Sequence, residues 1–401
     1  MKETLPNLGD IIEVTTDRLA FGGEAVARHD RLAIFIPLAV PGERLRVRIT
    51  ERKKNYARAA IENILEPSPQ RRNPSCRYFG DCGGCQLQHM SYESQLSSKV
   101  GFVRDALERI GRIDWPEEIP IRHAAEFGYR GRARIKVDSK TGRVGFNRTA
   151  SHSVCDVLSC PILIPELDAA LSSVRAAVAG ANVNERVVAD LRQIDVAAGE
   201  NGVSFEPAIS NLGRVPLRQT ASGAVYGFDP STFFQSNPAL LDVLIEEAVG
   251  GSSGEFAIDL YAGVGLFTLQ LARRFKRVIG VEADPRTAKH AIANIAANSA
   301  ANVEFCAGPV ESWLKGFIAS RSGSSDLLVL DPPRTGAAQA IPSIIELGPR
   351  TISYVSCDPS TLARDLRALV DGGYTISEVT AIDLFPQTYH VETVVLLCRS
   401  S

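Results

Sequence analysis

The segment "YVSCDPSTLARDL", Tyr354 to Leu366, sets a cysteine between an apolar run and a helical pattern. A buried, inert thiol is the commoner fate of a cysteine. Here, however, Cys357 is flanked by polar Ser356 and Asp358 and by a Pro359 turn, and the helix that follows would present its positive end to a thiolate. An unperturbed thiol has a pKa of about 8.5, and such a helix end is expected to lower it. Downstream, "FPQTYHVETVVLL" supplies His390 and Glu392, whose two-residue spacing on an extended segment points them to one face. Upstream, "LLVLDPPRTG" places Asp331 and two prolines at the C-terminal lip of a strand. A thiol and carboxylates gathered at strand ends are groups that nucleophilic and acid–base chemistry can use.

A second group of thiols has different spacing. "CRYFGDCGGCQLQHM" arranges Cys76, Cys82 and Cys85 as C-x5-C-x2-C, and Cys155 or Cys160 could supply the fourth ligand that a tetrahedral or cubane site needs. Spacing alone leaves zinc and iron–sulfur open. No basic and apolar leader opens the chain, so a disulfide framework is not expected and a cytoplasmic protein is.

A third element is "AIDLYAGVGLFTLQLA", an apolar strand, a glycine turn and a helix. Gly263 and Gly265 would let the backbone approach a ligand, and Glu282 lies 19 residues beyond Gly263, placed to grip ribose hydroxyls. The third glycine of a dinucleotide fingerprint is replaced by Thr268, and Asp259 stands before the turn. A carboxylate beside the helix end disfavours pyrophosphate. The pattern suits a cationic ligand without phosphate, S-adenosylmethionine, better than NAD.

Apolar runs alternating with helical segments position these groups: "FAIDLYAG", "RVIGVEAD", "DLLVLDPP", "TISYVSCD" and "VETVVLLCR". They predict a Rossmann-like, doubly wound parallel α/β sheet over 232–401. Residues 1–66 show the short alternating runs of a small β-barrel, and 67–231 form a central α+β region in which residues 92–111 read as a helix ended by Gly111. The 401 residues, 45% hydrophobic, suffice for two or three cores. Net charge is −2, but Lys and Arg number 15 against 10 Asp and Glu over 71–160, and 18 against 26 over 161–401. A basic front on an acidic body suits a polyanionic partner.

Together, "DPPRTG", "YVSCDPSTLARDL" and "DLFPQTYHVE" resemble, in order and spacing, the signatures of the RNA 5-methyluridine methyltransferase family. The N-terminal run resembles a TRAM domain, a barrel of the oligonucleotide-binding type, so the likeness spans nearly the whole chain. It implies methyl transfer from S-adenosylmethionine to carbon 5 of a uridine, with Cys357 as nucleophile and Glu392 as base. It implies cofactor contacts from Gln235, Tyr261, Glu282 and Asp331 beside the turn glycines Gly263 and Gly265, with Arg334 helping to place the uracil. It also implies a 4Fe-4S cluster on Cys76, Cys82, Cys85 and Cys160, with Cys155 a spare. Asp358 replaces the usual asparagine, and Leu266 stands where some members have a polar cofactor contact.

The implied partner is RNA, 23S ribosomal RNA before transfer RNA, with an accessible loop because the target base must leave its stack. Arg52, Lys53, Lys54, Tyr56 and Arg58 on the barrel, and Arg130, Arg132, Arg134 and Lys136 in the central region, are the candidate contacts. A non-catalytic RNA-binding protein on the same fold is the reading of a different class. No membrane contact is expected, and a monomer is.

Overall fold

A computed structural model describes residues 6–180, 191–320 and 323–399. Five strands near the N-terminus close a barrel in the order Ile11–Leu19, Ala25–His29, Leu32–Ile36, Tyr56–Glu66, Arg44–Arg52. Alternation drives closure: Leu45, Val47 and Ile49 point inward while Arg44, Arg46 and Arg48 point out. The outward arginines are paired with Glu13, Glu62 and Glu66.

The central region carries a five-stranded antiparallel sheet, ordered Gly202–Glu206, Gln193–Gly199, Arg132–Asp138, Arg143–Asn147, Val154–Asp156. The helix Pro165–Gly180 covers it, burying Leu167, Leu171 and Val174. Two of its segments belong physically to the next core. The hairpin Leu217–Ala221 and Ala224–Phe228 packs with the helices Leu241–Val249 and Leu266–Ala272. The helix Tyr92–Ala106, continued by a wider turn Leu107–Gly111, buries Val103 and Leu107 against the catalytic sheet's other face. At Gly111 a Cβ would stand 3.1 Å from the Ala363 carbonyl oxygen, so a side chain there would push the two helices apart.

The catalytic sheet has eight strands, in the order Val303–Ala307, Phe275–Glu282, Gly254–Leu260, Leu327–Leu330, Thr351–Ser356, Glu392–Arg399, Tyr374–Ile382, Ile121–Arg122. The first five are mutually parallel, as the sequence predicts. Glu392–Arg399 is not, for it runs antiparallel to both neighbours. The connection 383–391 is too short for a crossover helix, so the last strand must enter the sheet reversed. Its preceding strand, Tyr374–Ile382, escaped the sequence reading because its first half is largely exposed and lacks an apolar run. Reversal has a chemical result. The start of Glu392–Arg399 lies at the same lip where the parallel strands end, with Thr393 opposite Ser356.

Candidate active site

That register sets Glu392 beside Cys357. Glu392 is 3% exposed, and its carboxyl is pushed well above the usual range by burial and then by Asp331, with Arg334 pulling the other way. Burial pushes the Cys357 thiol up to about 12, helped by Glu392 and Asp331 and opposed by Arg334. This corrects the expectation of a thiol lowered by a helix end. The end is already occupied: the Asp358 carboxylate caps the helix Pro359–Asp371, accepting from the Ser360 and Thr361 N–H groups at 2.9 and 3.2 Å. An asparagine would cap through the same oxygen, which gives Asp358 a local role in place of its family counterpart.

Asp331 is held at about 7, by burial first and by Asp259 second. Asp259 lies on the neighbouring strand, fully buried, with its carboxyl raised to about 7 by burial and bonded by the Thr268 hydroxyl. Thr268 thus replaces the third glycine for a reason, since its hydroxyl satisfies a buried acid that glycine could not. His390 accepts from Arg334 at 3.4 Å; burial, Arg334, Lys99 and Arg130 lower it to about 4 and keep it neutral.

The glycine turn is tied to its acidic partner. Glu282 accepts from the Gly263 N–H at 2.9 Å and from the Asp284 N–H at 2.7 Å, so one carboxylate fixes both the turn and the next helix. Gly265 opens the helix Leu266–Ala272 at φ +91°, and Tyr261 sits at φ +61° with its hydroxyl donating to Glu311 at 3.2 Å. Gln235 is buried in the connection that leads into the helix Leu241–Val249. Among the described residues its side chain makes no hydrogen bond with Glu282, Asp331 or Cys357.

Sequence reasoning missed the groups that hold these loops. Asp365, 2% exposed, accepts from the Ala337 N–H and the Tyr354 hydroxyl, both at 2.7 Å, and clamps the "DPPRTG" loop to the helix after the nucleophile. A Cβ at Gly336, φ +74°, would stand 2.6 Å from that carboxylate, which accounts for the glycine. Lys99 and Asp383, both fully buried, pair at 2.5 Å and join the helix Tyr92–Ala106 to the loop before Glu392. A lysine in the apolar stripe of a helix was the available signal.

Cys76, Cys82, Cys85 and Cys160 line one apolar cavity of about 40 Å³ with Tyr78 and Phe146. Cys155 is buried outside that lining, its thiol facing Asp81. Burial raises Cys82, takes Cys85 to about 11 and Cys160 to about 12, and the neighbouring thiols raise these three further. Among the described residues no three His, Cys, Asp or Glu side chains converge on a single point as one ion would require. Nor is any described helix long and apolar enough to cross a membrane.

A glycine-turn strand, an acid at the next strand end and a reversed final strand define a methyltransferase fold that takes S-adenosylmethionine. The chain matches the family model described as tRNA (Uracil-5-)-methyltransferase over residues 215–400 and the TRAM domain over 7–61. It is 34% identical to an uncharacterized RNA methyltransferase of Synechocystis, covering 97% of this chain and 96% of that one. It is 33% identical to the 23S rRNA (uracil(1939)-C(5))-methyltransferase of Klebsiella pneumoniae, covering 97% and 96%. The crystal structure of the Pyrococcus abyssi tRNA (uracil-54, C5)-methyltransferase with S-adenosyl-L-homocysteine superposes with TM-score 0.72 at 23% identity, over 96% of this chain and 100% of that one, and shows the shared fold. The chain belongs to the RNA uracil-5-methyltransferase family.

Proposed function

We propose that the enzyme methylates carbon 5 of a uridine in 23S ribosomal RNA through a covalent Cys357 adduct, with Glu392 as base. The apposition of Cys357 and Glu392 by the reversed strand carries this reading. Carbon 5 of uracil is a weak nucleophile. The Cys357 thiol first gives up its proton to solvent; attack of the resulting thiolate sulfur on carbon 6 forms an S–C bond and moves the ring's π pair into an enolate, which makes carbon 5 electron-rich. Carbon 5 then takes the methyl carbon as the sulfonium bond breaks, releasing S-adenosylhomocysteine. Glu392 removes the carbon-5 proton, the double bond re-forms, and the C–S bond to Cys357 breaks.

The ligand-free site suits this order of events. Burial keeps the proton on Cys357 and favours the protonated form of Glu392, and His390 is neutral, so a neutral base enters a pocket of low charge. The sulfonium cation, with Arg334, would favour loss of those protons only once the cofactor is seated. Gln235, Tyr261, Gly263, Gly265, Glu282 and Asp331 are the proposed cofactor contacts.

The four cysteines fit a 4Fe-4S cluster better than a single ion, since they surround an apolar cavity instead of converging. Bound there, a cluster would supply a covalent tie between Cys76–Cys85 and Cys160, stabilising the central region. The methyl transfer needs no electron from it.

The RNA path is proposed on the central region, where Arg130, Arg134, Lys136, Phe146 and Arg148 line a groove of about 490 Å³. Arg130 also acts on His390, so this groove points to the active site. Arg132 leaves the set of candidate RNA contacts. It donates to the carbonyls of Asp229, Pro230 and Thr232, burial lowers it to about 10, and it serves as a strut. On the barrel, Arg58 is engaged by Glu24 and Lys53 by Glu51, which leaves Arg52, Lys54 and Tyr56 the stronger candidates there. A monomer acting in the cytoplasm completes the proposal, divided near residue 66 and, because the hairpin Leu217–Ala221 and Ala224–Phe228 packs into the catalytic core, ahead of Leu217 instead of at 231.

The test is to incubate wild type and Cys357→Ala with methyl-labelled S-adenosylmethionine and separated ribosomal and transfer RNAs. Label in 23S RNA from wild type alone is expected. Label in transfer RNA would replace the substrate, and equal label from both proteins would remove Cys357 from the chemistry.

A further inference from the structure

The loop that leads into Glu392 carries one residue whose bonding is out of proportion to an ordinary connection. Gln387 is fully buried and sits at φ +68°, a conformation that a non-glycine residue keeps only when its surroundings enforce it. Its N–H donates to Gln95 Oε1 at 3.0 Å. Its side-chain oxygen accepts from Gln95 Nε2 at 3.0 Å and from Arg72 Nη2 at 3.1 Å. Its side-chain nitrogen donates to the Glu126 carboxylate at 2.9 Å and the Glu126 carbonyl at 3.3 Å. Its carbonyl accepts from the N–H groups of Gln86 and Leu87, both at 3.0 Å. Every donor and acceptor of the residue is therefore engaged.

None of these partners lies in the catalytic sheet. Gln95 is in the helix Tyr92–Ala106, Glu126 and Arg72 are in the central region, and Gln86 and Leu87 directly follow Cys85. Four residues separate Gln387 from Glu392, and the Lys99–Asp383 pair pins the loop's other end.

We infer that Gln387 is a positioning residue: through it the backbone that follows Cys85 sets the place of the loop that delivers Glu392. This rests on the reading of Glu392 as base. Its consequence is that methyl transfer depends on the order of the cysteine segment without any electron leaving that segment. A base displaced by about 1 Å loses roughly 100-fold in rate, so a loosened loop would slow proton removal from carbon 5 more than it would weaken binding of RNA or S-adenosylmethionine.

The test uses the full-length holoprotein carrying Gln387→Met, which keeps side-chain length but removes its hydrogen bonds. Gln95→Met is the second variant, removing the acceptor of the Gln387 N–H and the helix-side donor to the Gln387 side-chain oxygen. Amide hydrogen exchange in 384–390 and at Gln86 and Leu87 reads the anchorage directly and is expected to accelerate about tenfold or more in both. Turnover should fall roughly 10- to 100-fold with KM for RNA and for S-adenosylmethionine held within about twofold, and the covalent RNA adduct should accumulate on a denaturing gel. Unchanged exchange in both variants overturns the anchorage. Faster exchange with wild-type turnover overturns the positioning role. A parallel Glu392→Gln arm separates the two readings: faster exchange and slower turnover in Gln387→Met, with no adduct in Glu392→Gln, would support the anchorage and remove Glu392 as base.

Discussion

The nucleophile site and the four-cysteine cavity both bury thiols and raise their pKa: Cys357 to about 12, Cys85 to about 11 and Cys160 to about 12. What surrounds each is different. Around Cys357 stand ionisable groups, with Glu392 and Asp331 raising the thiol and Arg334 opposing. Around the four-cysteine cavity the walls are mostly apolar and the thiols oppose one another, relieved by backbone N–H groups at Gly84 and Ile162 and, at Cys85, by Gln88 and Arg130. Burial thus stores two kinds of reactivity. A single thiol among titratable neighbours can lose its proton when a cationic ligand arrives, whereas four thiols in an apolar wall ionise together only for a cation that binds them all.

The largest effect that could break this comparison comes from exchanging the roles. Cys357→Ala should abolish methyl transfer, by about 10⁴-fold or more as for other lost nucleophiles, and leave the iron content of anaerobically purified protein intact. Cys160→Ser should lose iron while Cys357 can still be alkylated. Stoichiometric zinc without iron in the wild type would overturn the cluster and with it half of the contrast. Alkylation of Cys357 should itself climb about tenfold per pH unit between roughly pH 6 and 9, because only the thiolate reacts and its fraction rises throughout that window. Saturating S-adenosylmethionine should raise the rate at fixed pH. A plateau below pH 8 would mean a thiol far less raised than its surroundings imply.

How much of this could be read from the residues depends on whether the signal was local. Gly263, Gly265 and Glu282 lie in a strand, turn and helix whose spacing follows from backbone geometry alone, and the Gly263 N–H indeed meets the Glu282 carboxylate. The parallel strands were legible because burial on both faces makes them continuous apolar runs. The reversal of Glu392–Arg399 was not, since strand direction is set by the length of the connection and by tertiary pairing. Likewise the depressed thiol expected at Cys357 failed because a helix end can be claimed by the adjoining side chain, and Asp358 claims it. Lys99, Gln95 and Gln387 meet only across nearly 300 residues of chain, so no window of sequence could show them as one network.

A smaller effect tests whether the carboxyls at the first thiol site are strained by burial. Their folded pKa values are raised above the unfolded ones, Asp331 to about 7 and Glu392 well above its usual range. The native state therefore binds more protons than the unfolded chain, and stability falls as pH rises from the ordinary carboxylate range toward the folded values, at about 1.4 kcal/mol per pH unit for each such group. Replacement by the neutral isosteres Asp331→Asn and Glu392→Gln should raise the melting temperature at pH 7 and flatten its decline between pH 5 and 7. A wild-type melting temperature independent of pH over that range would refute the raised values.

The smallest effect concerns the residue beside the nucleophile. If Asp358 serves the helix and not the thiol, Asp358→Asn should keep its cap, its stability and nearly all of its turnover, since the amide oxygen can accept from Ser360 and Thr361 as the carboxylate does. Asp358→Ala should cost about 1 kcal/mol through the lost cap. It would also free the helix end to face Cys357, so its alkylation should quicken even as the fold weakens. The alanine substitution alone thus pulls stability and thiol reactivity in opposite directions. A faster Asn variant with unchanged stability would show that the Asp358 charge, and not occupation of the helix end, holds the nucleophile in check.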